Sequence, residues 1–101
     1  MKLEETGLTF EDIKEKVNKY MIETYERMDF LAESAKDQYI YNEKGEKYLD
    51  FYAGIAVNSA GSCNEKVVKA VVDQAQTLMH TFNYPYTIPQ ALLAEKVCTT
   101  I

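Results

Sequence analysis

Histidine and cysteine, which supply many catalytic nucleophiles, general bases and metal ligands, are scarce in this chain of 101 residues. The sequence contains one histidine, His80, and two cysteines, Cys63 and Cys98. These three side chains are too few and too far apart in sequence to predict a zinc site or a disulfide framework. No glycine-rich nucleotide loop, G-x-S-x-G sequence or C-x-x-C pair occurs. We therefore expect no metal site, no self-contained catalytic site, reduced and partly buried thiols, and a capping or packing role for His80.

Two short regions remain as candidates for contact with a ligand. Residues 54–61 are small and uncharged, and small side chains let a ligand or another backbone approach closely. Residues 82–86 form an aromatic loop with polar tips, which can line a pocket. Composition leaves a simpler role open for each: a tight strand-to-helix connection for the first, and a packing plug for the second.

The charge balance narrows the possible partners. Sixteen Asp and Glu residues against 11 Lys and Arg give a net charge of −5, whereas nucleic-acid binders need a basic face. No run of about 18 apolar residues is present, and the first residues lack the apolar core of a signal peptide. We predict a cytoplasmic protein that binds neither nucleic acid nor membrane. Its length allows one small domain, which if compact would bury about 65% of its unfolded surface.

Apolar periodicity and capping residues predict three helices that position these candidates. Thr9 and Asp12 form a capping box for the first helix, and Asn64 caps the second. Thr87 and Gln90 stand in capping-box relation at the start of the third. The predicted ranges are 9–28, with its clearest part at 10–26, then 64–80 and 87–101. The third helix has no closing residue. A natural domain can end in a frayed helix, but we interpret the chain as the front part of a longer protein.

Alternating residues between the first two helices predict an antiparallel sheet over residues 38–58. Residues 39–41 and 47–51 flank a turn with Asn42 first and Gly45 fourth, a composition typical of a type I turn. A third short strand is predicted at residues 55–57, between Gly54 and the turn region at Gly61. Because a two-stranded hairpin is rarely stable alone, this strand or a helix must cover it. The predicted fold class is therefore α+β: an N-terminal helix, a small antiparallel sheet and two further helices.

The order of several segments resembles the N-terminal part of the class III aminotransferases, which are fold-type-I enzymes dependent on pyridoxal phosphate. The resemblance lies in residues 39–51, 53–59, 80–90 and 93–96, and extends over roughly 17–101. Within the family it is greatest to the acetylornithine aminotransferases and their ornithine and 4-aminobutyrate relatives. One departure occurs at residues 61–65, where the family usually has Gly-His-x-His-Pro and this chain has Ser62 and Asn64 in place of the histidines.

The resemblance implies an amino-transfer reaction in the intact enzyme, from an ω-amino donor such as acetylornithine to 2-oxoglutarate. It implies pyridoxal 5'-phosphate as cofactor, held by a lysine and a phosphate-binding loop downstream of Ile101, and a homodimer. None of the ten lysines here lies in a matching context, so no residue of this chain is assigned to catalysis or cofactor binding and the chain alone should be inactive. Four residues would contact substrate: Gly54, Ile55 and Val57 in one wall of its entrance, and Tyr86 near its distal end. The alternative is a stand-alone, non-enzymatic binding or dimerisation module with similar architecture.

Overall fold

The computed structural model describes residues 1–100, which fall into two compact units. The first unit is Met1–Val68 and the second begins at Lys69, within a helix. After a 3-10 turn at Leu3–Glu5, the elements in chain order are α1 (Phe10–Tyr20), β1 (Ser34–Lys36), β2 (Tyr39–Tyr41), β3 (Lys47–Leu49), α2 (Ala53–Ala56), α3 (Glu65–Thr77) and α4 (Ile88–Thr100).

Helix α1 begins at the predicted capping box and ends earlier than predicted. The Thr9 hydroxyl accepts a hydrogen bond from the Asp12 amide at 3.2 Å, and the Asp12 carboxylate accepts one from the Thr9 amide at 2.7 Å. The helix stops at Tyr20, so its predicted extension to residue 28 is wrong. The Lys14 ammonium lies 2.8 Å from the Asp29 carboxylate, whereas 15 residues of continuous helix would put their backbones about 22 Å apart. The chain must therefore leave the helix and fold back.

The predicted hairpin is present, with Asn42 at the centre of its turn. Strands β2 and β3 pair antiparallel with Tyr39 opposite Leu49, and the Gly45 amide donates to the Asn42 carbonyl at 3.0 Å. The Asn42 side-chain oxygen accepts from the amides of Lys44 and Glu46, at 3.0 and 2.9 Å. Gly45 has φ +76°, which glycine adopts at low cost. The sequence pattern therefore predicted both the strands and the turn residues correctly.

The third strand of the sheet is not the one predicted. Strand β1 pairs antiparallel with β2, with Ala35 opposite Ile40, and the sheet order is β1-β2-β3. Residues 55–57 form no strand, because Ile55 and Ala56 belong to the turn α2 and have φ near +60°. Strand β1 gives little sequence signal, since Ser-Ala-Lys is short, has no apolar alternation and is followed by Asp-Gln rather than a glycine-containing hairpin turn.

The last two helices begin where their capping residues predict. The Asn64 side-chain oxygen accepts from the amides of Lys66 and Val67, at 3.1 and 3.3 Å, which confirms it as the cap of α3. Helix α3 ends at Thr77, three residues before the predicted end, and His80 lies in the segment that follows. Helix α4 starts at Ile88, and the predicted end of this helix at Ile101 lies outside the described residues.

Burial in the described residues is far lower than the length allows. Among residues 1–100 no apolar side chain is buried, and Asn42, at 7% exposure, is the one buried polar residue. The modest core that a compact chain of this length could form is therefore not present among the described residues. The expectation of partly buried thiols is wrong, since Cys63 and Cys98 are both exposed. Polar capping groups and backbone pairing, rather than an apolar core, define the local structure.

Neither a membrane-spanning helix nor a metal-binding cluster is present among the described residues. No helix among residues 1–100 is long and apolar enough to cross a membrane. In the same part of the chain, no group of three or more histidine, cysteine, aspartate or glutamate side chains is arranged to hold a metal ion.

Candidate functional site

The small uncharged segment singled out from the sequence forms a left-handed turn. Four successive residues have φ in the left-handed region: Ala53 (+48°), Gly54 (+61°), Ile55 (+65°) and Ala56 (+60°). The Val57 amide closes the turn by donating to the Ala53 carbonyl at 2.9 Å. Only glycine adopts this conformation freely; an L-residue pays about 1–2 kcal/mol, and β-branched Ile55 is the least suited. We call residues 53–57 the left-handed turn.

A carboxylate fixes the start of the left-handed turn. One oxygen of Asp50 accepts hydrogen bonds from the backbone amides of Tyr52 and Ala53, at 2.9 and 2.8 Å. Asp50 follows strand β3, and its own amide donates to the Gln38 carbonyl at 2.9 Å. Aspartate commonly accepts bonds from the backbone two or three residues on, which directs the chain into a turn. The polar group that opens the turn is thus itself attached to the sheet.

A backbone pair fixes the chain beyond the turn. Asp37 and Ser62 exchange two hydrogen bonds, each of 2.8 Å, between the amide of one and the carbonyl of the other. Gly61 lies against this pair, and a Cβ built on it would be 3.1 Å from the Cα atom of Asp37. Both ends of the loop that contains the left-handed turn therefore meet the short connection between β1 and β2.

The structure brings three of the four predicted substrate residues together. Gly54, Ile55 and Val57 all lie in the left-handed turn, and the side chains of Ile55 and Val57 are 74% and 75% exposed. Exposed apolar side chains on a constrained turn can form one wall of a pocket for the aliphatic part of a ligand. The prediction that these residues line a substrate entrance stays a prediction.

The fourth predicted residue, Tyr86, lies in the aromatic loop of the second unit. Its side chain is fully exposed, and the neighbouring rings of Phe82 and Tyr84 pack edge to face with centroids 5.6 Å apart. The same unit contains an open groove of about 270 Å³ between the end of α3 and the start of α4, whose lining includes Leu78, His80, Phe82 and Gln90. All of its lining residues fall within residues 74–90, and the aromatic loop at 82–86 was the part of this stretch that the sequence indicated.

The lysines of this chain do not fit the site of pyridoxal phosphate. A lysine that bonds to this group must lose its proton readily, which burial or nearby cations favour. No lysine among residues 1–100 is buried. Hydrogen bonds from the Lys14 ammonium to the carboxylates of Asp29 and then Glu11 raise the pKa of Lys14, the opposite of what is needed.

Comparison with known proteins adds the decisive observation. A family model described as Aminotransferase class-III matches residues 20–101, which include the left-handed turn and Tyr86. The chain belongs to the class III aminotransferase family. The resemblance stated from the sequence motifs is therefore confirmed.

Curated class III relatives match most of this chain, but only a small part of their own length. The acetylornithine aminotransferase of Methanocaldococcus jannaschii is 48% identical over 79 residues, which are 78% of this chain and 20% of the relative. That of Archaeoglobus fulgidus is 40% identical over 83 residues, 82% of this chain and 22% of the relative. The chain thus spans about a fifth of the length of the curated relatives it matches.

Solved class III structures share the fold. The acetylornithine aminotransferase of Elizabethkingia anophelis superimposes with a TM-score of 0.84 at 22% identity, covering 89% of this chain and 22% of that one. The ornithine aminotransferase of Toxoplasma gondii ME49 gives a TM-score of 0.75 at 26% identity, covering 84% of this chain and 20% of that one. The predicted α+β segment of a fold-type-I aminotransferase is confirmed.

The structure also shows what replaces the histidines expected in the class III sequence. Ser62 supplies the backbone pair with Asp37, and its hydroxyl lies 3.4 Å from the side-chain nitrogen of Asn58. Asn64 caps α3, as described above. Neither position needs an imidazole for this local backbone, so the departure leaves the loop and the helix start intact.

Proposed function

We propose that this chain is the N-terminal part of a pyridoxal-phosphate-dependent class III aminotransferase. The intact enzyme moves an amino group from an ω-amino donor such as acetylornithine to 2-oxoglutarate. Family membership supports the class of reaction, and the similarity to relatives named acetylornithine aminotransferase supports the donor. The electron-sink chemistry of amino transfer comes from pyridoxal phosphate, which the remainder of the enzyme holds.

The observation that carries the role of this chain is the left-handed turn. It presents Ile55 and Val57 outward from a loop that polar bonds fix at both ends. An aliphatic donor needs an apolar surface of fixed shape along its carbon chain, and a preformed surface loses little entropy on binding. In this proposal the turn forms one wall of the substrate entrance, with Gly54 allowing close approach. It binds and orients the donor and takes no part in proton transfer.

Tyr86 has a second, separable role in the same proposal. Its ring is fully exposed in the described residues and sits in a loop with two other aromatic side chains, Phe82 and Tyr84. An aromatic ring with a hydroxyl tip contacts the apolar part of a ligand while its hydroxyl bonds to a polar end. We assign Tyr86 to the distal end of the amino donor.

The exposed apolar surface supports an obligate place within a larger assembly. Val68 and Val72 on α3 are 45% and 47% exposed, and Leu92 and Leu93 on α4 are 60% and 65% exposed. Soluble monomers rarely leave such helix faces in water. We propose that the rest of the aminotransferase chain and the second subunit of a homodimer cover them, and that the enzyme is cytoplasmic.

The test is amino transfer by the full-length protein. Purified enzyme saturated with pyridoxal phosphate should form glutamate from 2-oxoglutarate with acetylornithine, and the donor panel should include ornithine and 4-aminobutyrate. The highest kcat/KM is expected for acetylornithine. Lack of amino transfer from all three donors would contradict the proposed function. A stop codon directly after Ile101 would favour instead the stand-alone binding or dimerisation module.

A further inference from the structure

We propose that the connection between β1 and β2, Asp37 and Gln38, is a clasp that positions the left-handed turn, and that Gly61 is the residue that allows the clasp to close. The inference rests on the proposed function for its kinetic consequence, since it assigns positioning residues to the donor wall. Its structural part stands on the backbone geometry alone.

Two neighbouring residues hold both ends of one loop. The Gln38 carbonyl accepts from the Asp50 amide at 2.9 Å, where the loop leaves β3. The Asp37 amide and carbonyl pair with Ser62 at 2.8 Å each, where the loop returns. Residues 51–61 are therefore closed at their base by three backbone hydrogen bonds to adjacent positions. A loop closed in this way keeps its ends in place while its outer residues contact a ligand.

The left-handed turn needs this support because its own conformation is unfavourable. Three of its residues with positive φ carry a Cβ atom: Ala53, Ile55 and Ala56. Strained backbone of this kind persists only when the surrounding structure imposes it. The Asp50 carboxylate acts at one end of the turn and the Asp37–Ser62 pair acts beyond the other. Loosening the base should let the turn relax and move Ile55 and Val57 out of position.

Gly61 is the point at which the clasp can be tested. Its φ is +82°, and an added Cβ would lie 3.1 Å from the Asp37 Cα and 3.5 Å from the Asp37 carbonyl carbon and oxygen. Every one of these neighbours is backbone, so none can rotate away. Gly45 provides a matched control, because its φ is +76° and a Cβ there would meet no atom within 4 Å. The two substitutions impose similar backbone strain, but only one of them pushes against Asp37.

The experiment compares Gly61→Ala with Gly45→Ala in the full-length holoenzyme. Hydrogen exchange, measured without substrate, should be at least about tenfold faster for the Asp37 and Ser62 amides in Gly61→Ala and unchanged there in Gly45→Ala. In Gly61→Ala, KM for the amino donor should rise about tenfold with kcat changed less than about twofold. The kinetic constants for 2-oxoglutarate should stay near the values of the unsubstituted enzyme. Equal behaviour of the two variants in both measurements would overturn the clasp.

The two readouts separate failure of the clasp from failure of the proposed function. If the full-length protein transfers no amino group but Gly61→Ala alone accelerates exchange, the clasp stands and the donor-wall assignment is wrong. If Gly61→Ala does not fold, hydrogen exchange in the unsubstituted protein tests the clasp. The amides of Asp37, Asp50 and Ser62 should then exchange at one common slow rate and lose protection together in mild denaturant. Independent rates for these three amides would contradict a single clasp.

Discussion

The side chain of Asn42 spans the hairpin turn and binds the carboxylate of Glu46 at 2.6 Å. The same asparagine uses its oxygen to accept from two backbone amides, and it is the one buried polar residue among residues 1–100. A single side chain therefore satisfies three polar groups in the turn that joins β2 to β3. Because no apolar side chain is buried in the described residues, we expect the hydrogen bonds of Asn42 to contribute much of the stability of this hairpin.

Replacing Asn42 should destabilise this hairpin. Asn42→Ala removes the acceptor for the amides of Lys44 and Glu46 and leaves partly buried donors without a partner, which costs about 1–3 kcal/mol. We expect that loss in urea unfolding of the full-length protein, or faster amide exchange confined to β2 and β3. The control is Lys44→Ala, which keeps the backbone bonds and should change stability by less than about 0.5 kcal/mol. Equal effects of the two substitutions would show that Asn42 has no special role in the turn.

The same contact predicts a pH dependence. Hydrogen bonds to Glu46 from Asn42 and then from the Tyr48 hydroxyl lower the pKa of Glu46 from its ordinary value of 4.5. A carboxyl group whose pKa is lowered by folding stabilises the fold above its unfolded pKa, and that contribution is lost as the pH falls through its folded pKa. NMR titration of Glu46 should therefore give a midpoint below 4.5, shifting upward in Asn42→Ala. A midpoint at or above 4.5 in the unsubstituted protein would contradict the observed contact.

Tyr86 should affect one substrate more than the other. If its ring contacts the distal part of the donor, Tyr86→Ala should lower kcat/KM for acetylornithine by roughly 5- to 150-fold, equivalent to about 1–3 kcal/mol, and affect 2-oxoglutarate much less. Tyr86→Phe keeps the ring and removes the hydroxyl, so it distinguishes the contributions of these two groups to kcat/KM. Tyr84→Ala is the matched control, since Tyr84 is 92% exposed in the same loop. Equal losses for both substrates would indicate that Tyr86 only packs the loop.

The isolated chain should associate with itself through its uncovered apolar helix faces. Burial is worth about 25 cal/mol per Å², so contact between copies is favoured over leaving those faces in water. Sedimentation equilibrium over a hundredfold concentration range should show a shift from 11.6 kDa toward a dimer at micromolar to millimolar concentration. Val72→Glu should weaken association, while Gln76→Glu on the same helix should not. A single 11.6 kDa species throughout, without binding of an apolar dye, would favour the stand-alone module.

Pyridoxal phosphate should bond to no particular lysine of this chain. The lysines are not buried, and three of them, Lys14, Lys36 and Lys69, form ion pairs with carboxylates. Borohydride reduction of the isolated chain with pyridoxal phosphate, followed by peptide mapping, should give weak labelling spread over many lysines. Stoichiometric labelling of one lysine would show that a cofactor site exists within these residues.

The sequence predicted those elements whose signals are local. Thr9, Asn42 and Asn64 each act through bonds to amides within four residues, so their side-chain types alone indicated two helix starts and one turn. The family resemblance was likewise carried by contiguous segments. The assignment of Gly54, Ile55, Val57 and Tyr86 to substrate contact came from that resemblance and stays a prediction.

The elements that could not be predicted depend on contacts that local propensity does not indicate. Strand β1 forms through its pairing with β2, where Ala35 lies opposite Ile40, and α1 ends before a fold-back that brings Asp29 to Lys14. The left-handed turn was mistaken for a strand because Ile and Val favour strands, whereas Asp50 and the Asp37–Ser62 pair impose the opposite conformation. At this turn the hydrogen bonds formed by Asp50 and by the Asp37–Ser62 pair outweigh the strand propensity of the Ile and Val residues.

The measurement that tests the central claim most directly is the effect of Ile55→Ala on the kinetics of the full-length protein with its two proposed substrates. If the left-handed turn forms the donor wall, removing this exposed aliphatic side chain should lower kcat/KM for acetylornithine by roughly 5- to 30-fold, equivalent to about 1–2 kcal/mol of lost apolar contact. The value for 2-oxoglutarate should change by less than about twofold. Unchanged kinetics for acetylornithine, or equal losses for both substrates, would contradict the assignment of the turn to the donor.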